Sequence, residues 1–145
     1  MASAFLSDQQ VVALLAEEKI ITANLSWHPW GRRGQRLETT VLATGSSTTL
    51  KIVAFSGPTN QSIALLYASM DIRRVCLSGN ARHINSDNER FDGLHKHCYD
   101  EKDGASRDAY LPNDITEPTN MDKSFIEFLR ECNIELRGSY QGHLI

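Results

Sequence analysis

Residues 36–78 read RLETTVLATGSSTTLKIVAFSGPTNQSIALLYASMDIRRVCLS. Segments rich in β-branched residues, at 36–43, 48–56, 62–69 and 72–78, are separated by the breakers Thr44-Gly45-Ser46-Ser47 and Gly57-Pro58-Thr59-Asn60. Short strands joined by tight turns favour an antiparallel meander. Upstream, Leu6-Ser7-Asp8-Gln9-Gln10-Val11 reads as a helix start. Ser7 can cap, Gln10 can return the capping bond, and Leu6 with Val11 can form a hydrophobic staple. Downstream, Phe125, Phe128, Leu129 and Cys132 follow Pro118 at spacings that put them on one side of a helix. The order helix, strands, helix predicts an α+β fold, an antiparallel sheet of about five or six strands with an N-terminal and a C-terminal helix packed on one face. Residues 101–108, with Gly104, read as an exposed loop, and the chain from about Arg137, with Gly138 and Gly142, as a mobile tail.

The 145 residues, 41% hydrophobic and 8% aromatic, fit one domain, 1–145. With a net charge of −3, no chain-wide basic field exists, so any nucleic-acid role needs a local patch. Apolar runs fall far short of the roughly 18 residues that span a bilayer, and no signal-peptide pattern opens the chain, so a soluble, cytoplasmic protein without a membrane partner is expected. Cys76, Cys98 and Cys132 are too scattered for a disulfide framework or a paired-cysteine zinc motif, and are expected as reduced, buried thiols.

The chemistry concentrates between Asp71 and Glu101. His83-Ile84-Asn85-Ser86-Asp87 precedes Leu94-His95-Lys96-His97-Cys98-Tyr99-Asp100-Glu101. On a strand, alternation puts His95, His97 and Tyr99 on the same side. Histidine titrates near neutrality, so one imidazole can take a proton from a ribose 2′-hydroxyl while another protonates the leaving oxygen. The phosphate in such a reaction needs fixed positive charge, for which Arg74, Arg82 and Lys96 are the nearby candidates. Arg74 shares its face with Cys76 and Arg73 shares the other with Val75, so only one of the two arginines can enter the site. The same histidines, His83, His95 and His97 with an acid such as Asp87, also offer N and O ligands for zinc or manganese. The spacing from His95 to Glu101 is similar to the first metal motif of cupin barrels, although the flanking glycines are displaced and no second motif follows.

The order Arg74, Gly79, His83-x-Asn85-x-Asp87, Gly93-x-His95-x-His97-x-Tyr99, Ala109-Tyr110 and a closing Phe128-Leu129-x-x-Cys132-Asn133-Ile134 resembles a small bacterial family of single-domain proteins. The core of that family is similar to TumE-type toxins of toxin–antitoxin pairs, which carry an arginine, a histidine and a later His-x-His. The resemblance covers roughly residues 70 to 134. It implies a toxin-like, metal-independent ribonuclease with RNA as substrate and an antitoxin as protein partner. Cys76 stands where the pattern has an acid, and Ser86 and Asn88 stand where it has proline and glycine.

A second feature is Trp27-His28-Pro29-Trp30-Gly31-Arg32-Arg33-Gly34. Trp27, Trp30, Arg32 and Arg33 together suit base stacking, phosphate contact or a protein-binding hot spot, and tryptophans in such a connection also serve to close a core. The leading expectation is RNA cleavage by His95 and His97, with His83 and Tyr99 assisting, Arg74 on phosphate, and no cofactor. The alternatives are a non-enzymatic inhibitor or anti-defence protein that covers a partner's surface, and a zinc or manganese enzyme built on the histidines.

Overall fold

The computed structural model describes residues 6–58, 60–77, 82–85, 87–92, 94–100, 105–110 and 120–142; the side chains at 82, 83, 91, 92, 98–100, 105–108 and 110 lie outside that description. The elements run α1 (Asp8–Ala16), β1 (Lys19–Ile21), β2 (His28–Trp30), β3 (Gly34–Ala43), β4 (Thr48–Ser56), β5 (Gln61–Tyr67), β6 (Met70–Cys76), β7 (Arg82–Ile84), β8 (Arg90–Asp92), β9 (His95–Asp100), β10 (Ala105–Tyr110), α2 (Met121–Glu131) and β11 (Ile134–Leu136).

The expected capping box opens α1. Ser7 Oγ accepts the Gln10 amide at 3.0 Å, and Gln10 Oε1 accepts the Ser7 amide at 2.8 Å. The other end of α1 is closed by Lys19, whose Nζ donates to the carbonyls of Leu14, Leu15 and Glu17 at 2.7, 2.8 and 2.6 Å. Those carbonyls have no partner within the helix, so a buried cation satisfies them. Burial of Lys19 holds its ammonium below the ordinary lysine range.

The meander forms β3 to β6, extended into an open sheet of order β10-β9-β6-β5-β4-β3-β1-β11, with β2 also paired to β3. All of its pairings are antiparallel except β1 with β11. A separate hairpin, β7–β8, forms its own two-stranded sheet. The fold class is the expected α+β, but eight strands follow one another in the large sheet rather than five or six. The extra strands are short or polar. Residues 105–108, expected as part of a loop, lie in β10, which pairs with β9 as an edge strand, so tertiary pairing overrides a composition of serine, arginine and aspartate. The outer edge of β10 is met by Asn85, whose Nδ2 donates to the Ala109 carbonyl at 2.8 Å while its Oδ1 accepts the Ala109 amide at 2.7 Å. A side-chain amide thus takes the place of a neighbouring strand.

The expected tail from Arg137 is tied into the fold as far as Gln141. Arg137 donates its amide to Ile21, Leu25 donates to Ser139 and Gln141 donates to Leu25. Gly138 lies so close to Ala23 that a Cβ would stand 2.0 Å from the Ala23 carbonyl oxygen. Residues 143–145 lie outside the described residues.

Strand register sorts side chains into two faces. One row of paired residues, Leu37, Ala54, Ile63, Val75 and Lys96, crosses β3, β4, β5, β6 and β9. Its apolar members join Val11 and Leu14 of α1 and Phe125, Phe128 and Leu129 of α2 in one buried cluster, the inner face. The neighbouring row, Arg36, Phe55, Ser62, Cys76 and His95, points the other way and forms the outer face.

The β5–β6 turn places two non-glycine residues at positive φ, Ala68 at 49° and Ser69 at 69°. Consecutive positive φ values are what a two-residue hairpin with primed-turn geometry requires, and side chains there cost roughly 1–2 kcal/mol each relative to glycine. Ser69→Gly, placing glycine at the second turn position, is expected to raise stability by about 1 kcal/mol, read as a higher denaturant midpoint with an unchanged slope.

Candidate metal centre

The site lies where β6 meets β9 on the outer face. Cys76 pairs with His95 and Arg74 with His97. Alternation along β9 turns His95 and His97 to one side and Lys96 to the other. The two imidazole rings meet edge to face, centroids 4.9 Å apart with an interplanar angle of 64°. Cys76, His95 and His97 are 5%, 2% and 5% exposed, and one ligand atom from each lies within 4.8 Å of the other two. Tetrahedral zinc, with bonds of about 2.0–2.3 Å, spaces its donors roughly 3.3–3.7 Å apart, so small side-chain rotations close the site around an ion. One cysteine sulfur and two imidazoles offer a soft N/S donor set of the kind that suits zinc-class metals better than magnesium, calcium or manganese.

This donor set differs from the one expected. Asp87 is exposed in the turn between β7 and β8, where its carboxylate accepts the Glu89 amide at 2.9 Å, so it is not part of the cluster. The side chains of His83, Tyr99 and Arg82 lie outside the described residues; His83 and Arg82 are backbone members of β7, and Tyr99 of β9. Cys76, which stands in the sequence as a departure from a pattern, is the third member of the cluster.

The cationic side chains divide as parity demands. Arg74 faces outward beside His97, 43% exposed, with its guanidinium 3.8 Å from Asp71. Lys96 does not serve this face, as adjacency to the histidines had suggested. It points to the inner face, 1% exposed, and pairs with Glu131 of α2, which also binds Arg73. A strand neighbour of a site residue is the residue least able to reach the same site. The Lys96–Glu131–Arg73 triad thereby anchors the back of the strand whose front carries the histidines.

Cys132 is fully buried near this triad, and burial first, then the Glu131 charge, pushes its thiol up to about 12. It is a protonated core residue at neutral pH.

The tryptophans separate as well. Trp27, expected at a binding surface, is 6% exposed and meets Phe125 edge-on at 6.4 Å. Its indole N–H donates to Tyr140 Oη at 2.9 Å, and Tyr140 donates in turn to Asp122 at 2.6 Å. It closes the core. Trp30 is 52% exposed at the end of β2, with the Arg36 guanidinium 4.6 Å from its ring centroid. Arg32 and Arg33 are exposed in the turn from β2 to β3.

Among the described residues these features define a class: an α+β protein with a large, open, mostly antiparallel sheet, two helices, and a buried Cys-His-His cluster on the face that the helices leave. The chain belongs to the family of unknown function DUF6978, which matches residues 6–134 and so takes in the whole cluster. No curated protein and no solved structure matches it significantly.

Proposed function

We propose that this protein is a metal-dependent enzyme in which Cys76, His95 and His97 would hold one zinc-class ion. The observation that carries the reading is the convergence of three buried N/S donors within 4.8 Å of one another. Three protein ligands with one open position are the arrangement of catalytic zinc, which lowers the pKa of bound water to about 7 and polarises an ester oxygen. The donors are already out of bulk water, so they give up little hydration of their own when an ion binds. Arg74, half-buried and in register with His97, offers charge for an anionic substrate beside the cluster.

The second reading keeps the same histidines as a metal-free acid–base pair in a toxin-like ribonuclease, and Arg74 beside His97 favours it in the same way. Metal analysis of protein purified without chelator separates the two. The metal reading expects about one zinc per chain, and hydrolysis of an RNA oligonucleotide that chelator abolishes and zinc restores. Protein free of metal that cleaves RNA equally well in chelator would establish the acid–base pair instead.

A further inference from the structure

We infer that the outer face is a track for single-stranded nucleic acid, running from the β2–β3 hairpin to the Cys76–His95–His97 cluster. The inference rests on the metal-centre reading for what happens at the end of the track, and on the outer face alone for binding. Strand pairing lines up His28, Arg36, Phe55, Ser62, Cys76 and His95 in one row across β2, β3, β4, β5, β6 and β9. At about 4.8 Å per strand, the step from Arg36 to His95 spans roughly 19 Å, room for a few nucleotides.

The surface along this row has the two properties that a flexible polyanion with flat bases needs. The first is charge. On a chain with a net charge of −3, this face gathers Arg36, Lys51 and Arg74, and the hairpin turn adds Arg32 and Arg33. Among the described residues of the large sheet, the acids on this face are Glu38, shared by Arg36 and Lys51, and Asp71, beside Arg74. The second is aromatic surface. Trp30 has Arg36 over its ring and is half open to solvent, leaving indole surface for a base. Phe55 is half-buried on a floor kept clear by glycines, since a Cβ at Gly34 or Gly57 would come within 3.2 or 2.9 Å of its ring. Beside the row, Arg36, Lys51, Val53 and Leu66 help to line a pocket of about 370 Å³, the scale of a small-ligand site.

A single strand satisfies both properties at once. Its phosphates meet the arginines, its unstacked bases meet Trp30 and Phe55, and its path runs toward Arg74, beside the strands that bury the cluster. A duplex hides its bases and cannot use the aromatic surface.

The test is fluorescence anisotropy with labelled RNA and DNA strands of about a dozen nucleotides, and with the matching duplex, on the full chain as purified and after removal of metal. Single strands are expected to bind with a log–log salt slope of about −2 to −3, as three or four phosphate contacts give. Trp30→Ala and Arg36→Gln should each raise Kd roughly tenfold, and Arg36→Gln should also flatten the slope by about 0.7. Both residues are surface-accessible, and unchanged melting curves will show that the variants fold. Lys123→Gln on α2, exposed and away from the outer face, should leave Kd unchanged. A preference between RNA and DNA strands supports the track and identifies the sugar it reads. No binding, salt-independent binding, equal binding of duplex, or binding indifferent to both variants would overturn it. Strand binding that survives in protein unable to hold zinc would confirm the track while removing the metal centre; a zinc-loaded protein that binds no strand would do the reverse.

Discussion

Cys76→Ser is expected to weaken zinc binding by roughly a hundred- to a thousandfold. Structural zinc in small peptides binds with about 10–16 kcal/mol in all, so one ligand of three or four carries a few kcal/mol. Serine keeps the size of cysteine but does not supply a thiolate, so the loss is one of chemistry rather than packing. His97→Ala should act similarly. Metal that binds only the folded state stabilises it, by about 2.7 kcal/mol at a hundredfold excess over Kd. The parent should therefore melt higher with zinc than with chelator, and at a zinc concentration a hundredfold above the parent's Kd Cys76→Ser should lose most of that difference. Ligation needs a deprotonated thiol and neutral imidazoles, so the zinc-dependent part of this stability should fade as the pH is lowered. A parent protein with no zinc-dependent melting shift would remove the ion from the site.

Glu131→Ala is expected to cost about 3–5 kcal/mol, measured by urea denaturation. Glu131 is the carboxylate that Lys96 and Arg73 share beneath the sheet, and Lys96 is only 1% exposed. Removing it strands ammonium and guanidinium charge in a face otherwise built of Val75, Ile63 and Leu37. Breaking a buried ion cluster from one side is far more damaging than replacing all its members with apolar residues. The combination Lys96→Met with Glu131→Leu should accordingly recover much of the stability that Glu131→Ala loses. If Glu131→Ala unfolds at the parent's urea concentration, the triad is not a clamp.

What could be read in the sequence follows local physics. The Ser7–Gln10 box, the four long meander strands and the helix bearing Phe125 and Phe128 are each specified by neighbours within a few positions. So is the shared face of His95 and His97. The misses arise where distant segments meet. Strands β1 and β11 pair in parallel across more than a hundred residues, and three-residue segments carry no periodicity strong enough to announce them. Cys76 became a site residue only because β9 pairs with β6, a register that no local pattern encodes. Lys96 shows the opposite: it adjoins both histidines in sequence, yet alternation along β9 turns it to the inner face and Glu131. Trp27 and Trp30, three residues apart, divide into core and surface because Tyr140, from the far end of the chain, comes back to receive the Trp27 N–H.

A cobalt(II) titration followed by absorption spectroscopy tests the metal centre most directly, because cobalt reports both its geometry and its sulfur ligand. A Cys-His-His site predicts intense visible bands of four-coordinate cobalt and a near-ultraviolet thiolate-to-cobalt band that saturates at one ion per chain. Cys76→Ser should lose the near-ultraviolet band, although Cys98 and Cys132 remain. A weak spectrum like that of cobalt in water, or a thiolate band that persists in Cys76→Ser, would contradict the assignment.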